Sequence, residues 1–278
     1  MIISNLSNII LGTMRLADRN INLIDCVKIF DTAIDKGINT FHISPEYNSF
    51  SLVTSAFKQL APRKINSNVV VKLASPHFDE LCFSQSNLEK KIDYILQQTG
   101  LETIHIVQWL WRQTPLNDST RIEDLEAQAE EIKLCFHNII KKGKVLEFAC
   151  FPYTTGFMKS VTSLGISKVH INYQNFWENM LVDGGLHDYS IALRPFLAGK
   201  VNGLHPEFIK QLNTIEERSI ISHSLNYVLS HPQICSAVVG INTLEQLEEI
   251  MSLRKSISKN IDIFEKYQSI LKNNPYLI

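Results

Sequence analysis

The sequence of 278 residues has little net charge, no long apolar run and few cysteines. Its formal charge of -1 does not favour a surface that binds nucleic acid or membrane through bulk charge. No apolar run approaches the roughly 20 residues that span a bilayer, and the start, MIISNLSNII, has no basic segment of the kind that opens a signal peptide. We therefore expect a cytoplasmic protein that binds neither nucleic acid nor membrane.

Motifs that mark common metal and phosphate sites are also missing. The cysteines are odd in number, far apart and without a CxxC pair, which favours reduced core thiols over disulfides or a metal site. The chain contains no GxGxxG, no P-loop and no HExxH. The sequence thus predicts no metal centre.

What the sequence does have is a regular alternation of strand-like and helix-like segments. Eight short apolar segments are each followed by a helix or by a segment of helix length, and they cover 8–14, 38–43, 68–74, 103–109, 144–151, 168–173, 190–196 and 235–240. Such alternation implies parallel strands, and eight units in this length indicate a closed barrel. We predict the α/β class and a single (β/α)8 TIM barrel domain over residues 1–278, with the first and eighth strands paired. One helix is predicted to begin at a Ser86 cap and to end at Gly100.

The segment NTFHISPEYNSF places His42 and Tyr47 where the second predicted strand ends. In such barrels the loops after the strands form the active face, so this is where chemistry is expected. Lys72 lies in VVVKLA, a strand that is otherwise apolar, and a buried lysine needs a partner. These three residues are the candidate catalytic set.

Ordered segments along most of the chain resemble the aldo-keto reductase family. AIDKGINTFHISPEY resembles the family pattern A-x-x-x-G-I-N-x-F-D-T-A-x-x-Y, and VVVKL resembles its third-strand lysine segment. LNYVLSHPQICSAVVGINTLEQLEEI resembles the family's C-terminal segment. The resemblance implies the same barrel and the reduction of an aldehyde or ketone by NADPH. It assigns Tyr47 as the proton donor and Lys72 as the cation that lowers the pKa of that tyrosine.

Other family positions are replaced in this chain. The aspartate that pairs with the lysine falls on His42, and the carbonyl-orienting histidine falls on Leu110. The Ser-Asn pair that holds the nicotinamide amide falls on Phe151 and Pro152, which cannot make those side-chain hydrogen bonds. The loss of the aspartate lowers the pKa of Lys72 unless another acid compensates, and Glu46 is the nearest in sequence. His42 is an alternative acid or base because histidine normally titrates near neutral pH.

The cofactor positions are mixed as well. Those that the resemblance assigns to NADP or NAD are Gln174, Arg194, Gly199, Gly240 and Asn242. No basic residue lies between Gly240 and Met251, where a 2′-phosphate would favour one. Binding is therefore expected to be weak or absent, with little preference between NADPH and NADH unless Arg194, Arg254 or Lys255 supplies a charge from outside this segment.

Three functions remain open from the sequence. The first is an NAD(P)H-dependent oxidoreductase that acts on a small-molecule aldehyde or ketone, such as a keto-sugar or a biosynthetic intermediate. The second is a barrel that has lost hydride transfer and carries out acid–base chemistry as a dehydratase, isomerase or cyclase. The third is a non-catalytic pseudoenzyme, because fold alone does not fix function.

Overall fold

The computed structural model describes residues 5–60, 67–114, 117–179, 189–255, 257, 259–272 and 274. The strands are β1 (Ile9–Gly12), β2 (Thr40–Ile43), β3 (Asn68–Ala74), β4 (Ile104–Leu110), β5 (Val145–Phe151), β6 (Val169–Tyr173), β7 (Tyr189–Leu193) and β8 (Ile234–Gly240). The helices are α1 (Leu23–Asp35), α2 (Phe50–Gln59), α3 (Gln85–Thr99), α4 (Asp118–Lys141), α5 (Thr155–Ser163), α6 (Pro206–Leu212), α7 (Ile220–Ser230), α8 (Leu244–Arg254) and α9 (Ile261–Lys272). Short 3₁₀ helices follow β1 (Ala17–Arg19) and β7 (Leu197–Gly203).

The eight strands form a closed parallel barrel in sequence order. β1 pairs with β8 in parallel, with Ile9 opposite Ala237 and Gly12 opposite Gly240. This pairing confirms the predicted (β/α)8 TIM barrel and its closure by the first and eighth strands. Parallel neighbours bring the carboxyl ends of all strands to one face, which is where the candidate residues lie.

Local capping explains where several helices begin. Ser84, not Ser86, is the N-cap of α3, since its hydroxyl accepts a hydrogen bond from the Asn87 amide. The prediction of a Ser86 cap was therefore wrong by two residues, while the end at Gly100, in the left-handed region at φ 65°, was correct. Asn117 caps α4 in the same manner by accepting from Thr120.

Strand periodicity decides which side chains enter the barrel. The innermost apolar layer contains Ile10, Val70, Ile106, Ala149, Val169, Ile171 and Ile191. Because side chains alternate along a strand, the residues two positions further on face the same way, toward the carboxyl end. In β3 and β4 these are Lys72 and Gln108, which are register partners. Above the apolar layer, the barrel therefore places polar side chains at the ends of β3 and β4.

The outward-facing side chains pack against the helices. Trp109 and Trp111 are fully buried in the large core cluster together with Phe136 and Phe157. The rings of Trp109 and Trp111 meet edge to face, with their centres 5.9 Å apart. Both tryptophans therefore fill the core and do not form a wall of the active face. Among the helices of the described ranges, none is long and apolar enough to cross a membrane.

Candidate active site

The loop after β2 is held against β3 by Ser44. The Ser44 hydroxyl donates to the Lys72 carbonyl at 3.0 Å and accepts from the Glu46 amide at 3.2 Å. The Ser44 carbonyl accepts from the Tyr47 amide at 3.1 Å. One serine thus fixes the turn that directs Glu46 and Tyr47 toward the end of β3.

Glu46 supplies the negative charge that the replacement of the family aspartate by His42 removed. Its Oε2 accepts from Lys72 Nζ at 2.7 Å and from Arg112 Nη1 at 2.8 Å. Burial opposes ionisation of Glu46, but its bonds to Lys72 and the charge of Arg112 outweigh that cost and lower its pKa. Burial also lowers the pKa of Lys72, and the bond to Glu46 counteracts this. The compensating acid considered from the sequence is therefore present.

Tyr47 lies between Lys72 and His42. Lys72 Nζ is 5.4 Å from the centre of the Tyr47 ring, which is cation–π distance, and its hydrogen bond goes to Glu46. The Tyr47 hydroxyl is 3.5 Å from His42 Nδ1, and His42 Nε2 is 2.6 Å from Gln108 Oε1. Because an amide oxygen only accepts, Nε2 carries the proton and Nδ1 is left as an acceptor for the tyrosine hydroxyl.

The charges of these groups differ from what the sequence led us to expect. Burial lowers the pKa of His42 to about 4, so this imidazole is neutral at pH 7, and the expectation that it titrates near neutrality was wrong. Burial raises the pKa of Tyr47, and the Glu46 carboxylate raises it further. The expectation of a lowered tyrosine pKa was therefore also wrong. Both errors have one physical cause, which is the loss of water around side chains that enter the barrel.

His42, Tyr47 and Lys72 line a cavity of about 520 Å³ at the carboxyl ends of the strands. That volume is within the range of small-molecule sites, roughly 300–1,000 Å³. Five cationic side chains line it, namely Arg15, Arg19, Lys72, Arg112 and Arg194. Among the described residues of its wall there is no aspartate or glutamate. The cavity is therefore suited to an anionic ligand.

Four of the five predicted cofactor residues line this cavity, namely Arg194, Gly199, Gly240 and Asn242. Gln174 is not among the residues that line it. It is fully buried, and its amide nitrogen donates to Asn179 Oδ1 at 2.7 Å. Tyr173 lines the cavity because it lies two positions after Ile171, whereas Gln174 lies three positions after it and points the other way.

Several cavity residues were not identified from the sequence. Tyr153 and Tyr173 flank Phe151 with ring centres 4.7 and 5.0 Å away, and Arg112 Nε donates to the Tyr153 hydroxyl at 2.7 Å. Gln108 also lines the cavity and was not predicted as a site residue. Its place opposite Lys72 in the barrel register is the signal that could have identified it.

Two basic residues considered as cofactor contacts lie elsewhere. Arg254 and Lys255 are at the end of α8, which begins beside the cavity and runs away from it. Arg254 Nη1 is 3.5 Å from the carbonyl of Gly37, at the turn that follows α1 and precedes β2. Since this turn is at the amino ends of the strands, neither residue can supply a charge to the cavity, and that expectation was wrong.

Solved structures share this fold at low sequence identity. An aldo-keto reductase from Bacillus halodurans in its holo form is 14% identical, over 95% of this chain and 92% of that one, with a TM-score of 0.71. An aldo/keto reductase from Klebsiella pneumoniae in complex with NADP and acetate is 13% identical, over 96% and 92% of the two chains, with a TM-score of 0.72. At such identities the likeness supports the barrel fold and nothing finer. None of the curated proteins compared with the chain matches it.

A family model gives the relationship that these structures alone do not. The model of the aldo/keto reductase family matches residues 8–190, which is more than half of the sequence and includes His42, Tyr47, Lys72 and Glu46. The match ends at residue 190, before the C-terminal segment at 225–250 that resembles the family pattern. It includes the strands that carry the candidate catalytic residues, and the chain belongs to the aldo/keto reductase family.

Proposed function

We propose that this protein is an NAD(P)H-dependent carbonyl reductase in which Tyr47 donates the proton to the carbonyl oxygen. The observation that carries the proposal is the placement of Tyr47 beside Lys72 in a cavity that also contains most of the predicted cofactor residues. Family membership supports the reaction type.

The cavity has features that fit a dinucleotide. Gly199, at φ 93°, and Gly240 both have open space where a side chain would start, so the backbone is accessible to a ligand. The Asn242 Oδ1 is buried and has no hydrogen-bond partner within the described part of the chain. Arg15 and Arg19 follow β1, the strand that pairs with β8, and can bind the diphosphate. When bound, the nicotinamide supplies the hydride.

The protein's own contribution is the proton and its control. Because the pKa of Tyr47 is raised, its phenol keeps the proton at neutral pH until a stronger base, the developing alkoxide, takes it. The ammonium of Lys72, which lies over the face of the Tyr47 ring, then stabilises the phenolate. The ion pair with Glu46 favours the protonated form of Lys72, and His42 Nδ1 holds the tyrosine hydroxyl in place before the substrate carbonyl replaces it.

The alternative of cofactor-free acid–base chemistry depended on His42 as a proton shuttle. With the pKa of His42 at about 4, its imidazole has no proton to give at pH 7, and its Nε2–H is bound to Gln108. This disfavours a dehydratase, isomerase or cyclase mechanism centred on His42. Leu110 and Phe151 line the same cavity and replace groups that would orient the substrate and the nicotinamide, while Tyr47 and Lys72 remain in place, so we expect hydride transfer to be slow.

The test is the oxidation of NADPH by Tyr47→Phe with any carbonyl compound that the wild type reduces. We expect turnover to fall by about 100-fold or more, since general acid catalysis contributes roughly 10²–10⁴ in rate. Tyr94→Phe, which removes the same atom from a partly exposed ring stacked on Phe50, is the matched control and should be unchanged. Circular dichroism checks that both variants fold. Full activity of Tyr47→Phe would disprove the assignment of Tyr47.

A further inference from the structure

The side of the cavity beside Tyr47, the proposed proton donor, is lined by several positive charges. Lys72 and Arg112 share the single Glu46 oxygen, so the distance between their nitrogens cannot exceed the sum of those two short bonds. One carboxylate thus neutralises only one of two cations. Arg194 adds a third cation, and its contact with Glu178 is loose, at 4.0 Å with both side chains substantially exposed. Arg112 and Arg194 line the same cavity as Tyr47.

The two guanidinium groups are held in position by tyrosines. Arg112 donates through Nε to the Tyr153 hydroxyl, and its side chain is only 15% exposed. Arg194 stacks on Tyr173 with its guanidinium carbon 4.1 Å from the ring centre. Stacking and hydrogen bonding reduce the conformational freedom of long side chains, so a ligand that binds here loses little entropy in ordering them.

We propose that the side of the cavity beside Tyr47 binds an anionic group, a carboxylate or a phosphate, carried by the carbonyl substrate, and that Arg112 and Arg194 are the residues that bind it. This inference rests on the proposed function, because it names the substrate class for that reaction. A planar guanidinium binds either group through paired hydrogen bonds. The apolar Leu110 and Phe151 contribute no charge of their own, so the arginines determine which substrates are preferred.

The first experiment compares pairs of aldehydes in which only one member carries a carboxylate or a phosphate. The pairs are butanal with succinic semialdehyde and glyceraldehyde with glyceraldehyde 3-phosphate, measured with NADPH at low and high salt. We expect kcat/KM to be at least about tenfold higher for the anionic member of a pair, an advantage that shrinks in salt because the charges are screened. The pair with the larger advantage shows whether the bound group is a carboxylate or a phosphate. Equal values for both members of both pairs would overturn the proposal.

The second experiment changes Arg194, which is exposed enough to replace without loss of the core. Asparagine is the replacement because φ at this position is 56°, a region that asparagine tolerates. Arg194→Asn should raise KM for the anionic substrates by about 10- to 100-fold, as expected for loss of a hydrogen bond to a charged group, and should raise KM for butanal and for NADPH by much less. An equal rise of all three KM values would show that Arg194 binds the cofactor and would overturn the proposal. Arg194→Lys should restore part of the preference. Arg254→Gln removes the same charge at the opposite end of the barrel and should change none of these KM values.

A binding measurement separates this inference from the reductase proposal. Calorimetry follows succinate, inorganic phosphate and neutral butyramide on the wild type and on Arg194→Asn, with saturating NADP present so that the proposed diphosphate contacts are occupied. Binding of either anion that is weakened in the variant, without reduction of any carbonyl, would support the anion site and disprove the reductase. Reduction of carbonyls with no dependence on charge and no anion binding would disprove the anion site alone.

Discussion

The low pKa of His42 makes a quantitative prediction about stability. A buried histidine that is neutral when folded must be compared with the same residue in the unfolded chain, where it titrates at its ordinary pKa of 6.5. The unfolded state then binds more protons than the folded state between pH 6.5 and about 4. By linkage, the contribution of His42 to the free energy of unfolding falls as pH falls through this window and is constant above it.

The magnitude follows from the two pKa values. Each pKa unit corresponds to about 1.4 kcal/mol, so His42 alone should remove about 3 kcal/mol of stability between pH 7 and pH 4. This is a substantial part of the roughly 5–15 kcal/mol of a typical domain. His223 adds a similar loss, since burial lowers its pKa to about 4 as well. The wild type should therefore become markedly less stable below pH 6.

The assay is urea unfolding across pH 4–8, followed by fluorescence of the buried Trp109 and Trp111. His42→Gln keeps a hydrogen-bonding side chain beside Gln108 but does not titrate, so its stability should fall less steeply by about 3 kcal/mol over the window. His137→Gln, at an exposed position on α4, is the control and should keep the wild-type slope. If His42→Gln and the wild type lose stability in parallel, or if NMR shows His42 titrating near pH 6.5, the reasoning is refuted.

Two further predictions concern the charges around the site. Glu46→Gln should lower the free energy of unfolding by about 1–3 kcal/mol in urea melts, because it leaves Lys72 and Arg112 without the carboxylate that they share. The control is Glu207→Gln, which should cost less than about 1 kcal/mol because its partner Lys210 is exposed. Equal losses of stability in the two variants would contradict the role given to Glu46. NADPH and NADH should quench the protein fluorescence with dissociation constants within about tenfold of each other, since no cation lies at 241–250 to bind a 2′-phosphate. Submicromolar NADPH binding with much weaker NADH binding would refute this prediction.

Some members of the candidate site were predictable from the sequence, and the charges of the site were not. Tyr47 and Lys72 could be identified because each sits at a strand end inside a recognisable segment, and the structure places them side by side. The relation of Glu46 to Lys72 was visible only as proximity in sequence. The Arg112 contact to the same carboxylate joins β4 to the loop after β2 and could not be read from either segment.

The sequence by itself determined the barrel, because the alternation of apolar strands with amphipathic helices is a local property of the chain. It also determined the turn that presents Tyr47, since Ser44, Glu46 and Tyr47 are neighbours along the chain. The tertiary structure decided which side chains enter the cavity, because a shift of one residue along a strand exchanges Gln174 for Tyr173. It also decided the protonation of His42 and Tyr47, since their pKa values depend on how much water and which charges surround them after the strands close into a barrel.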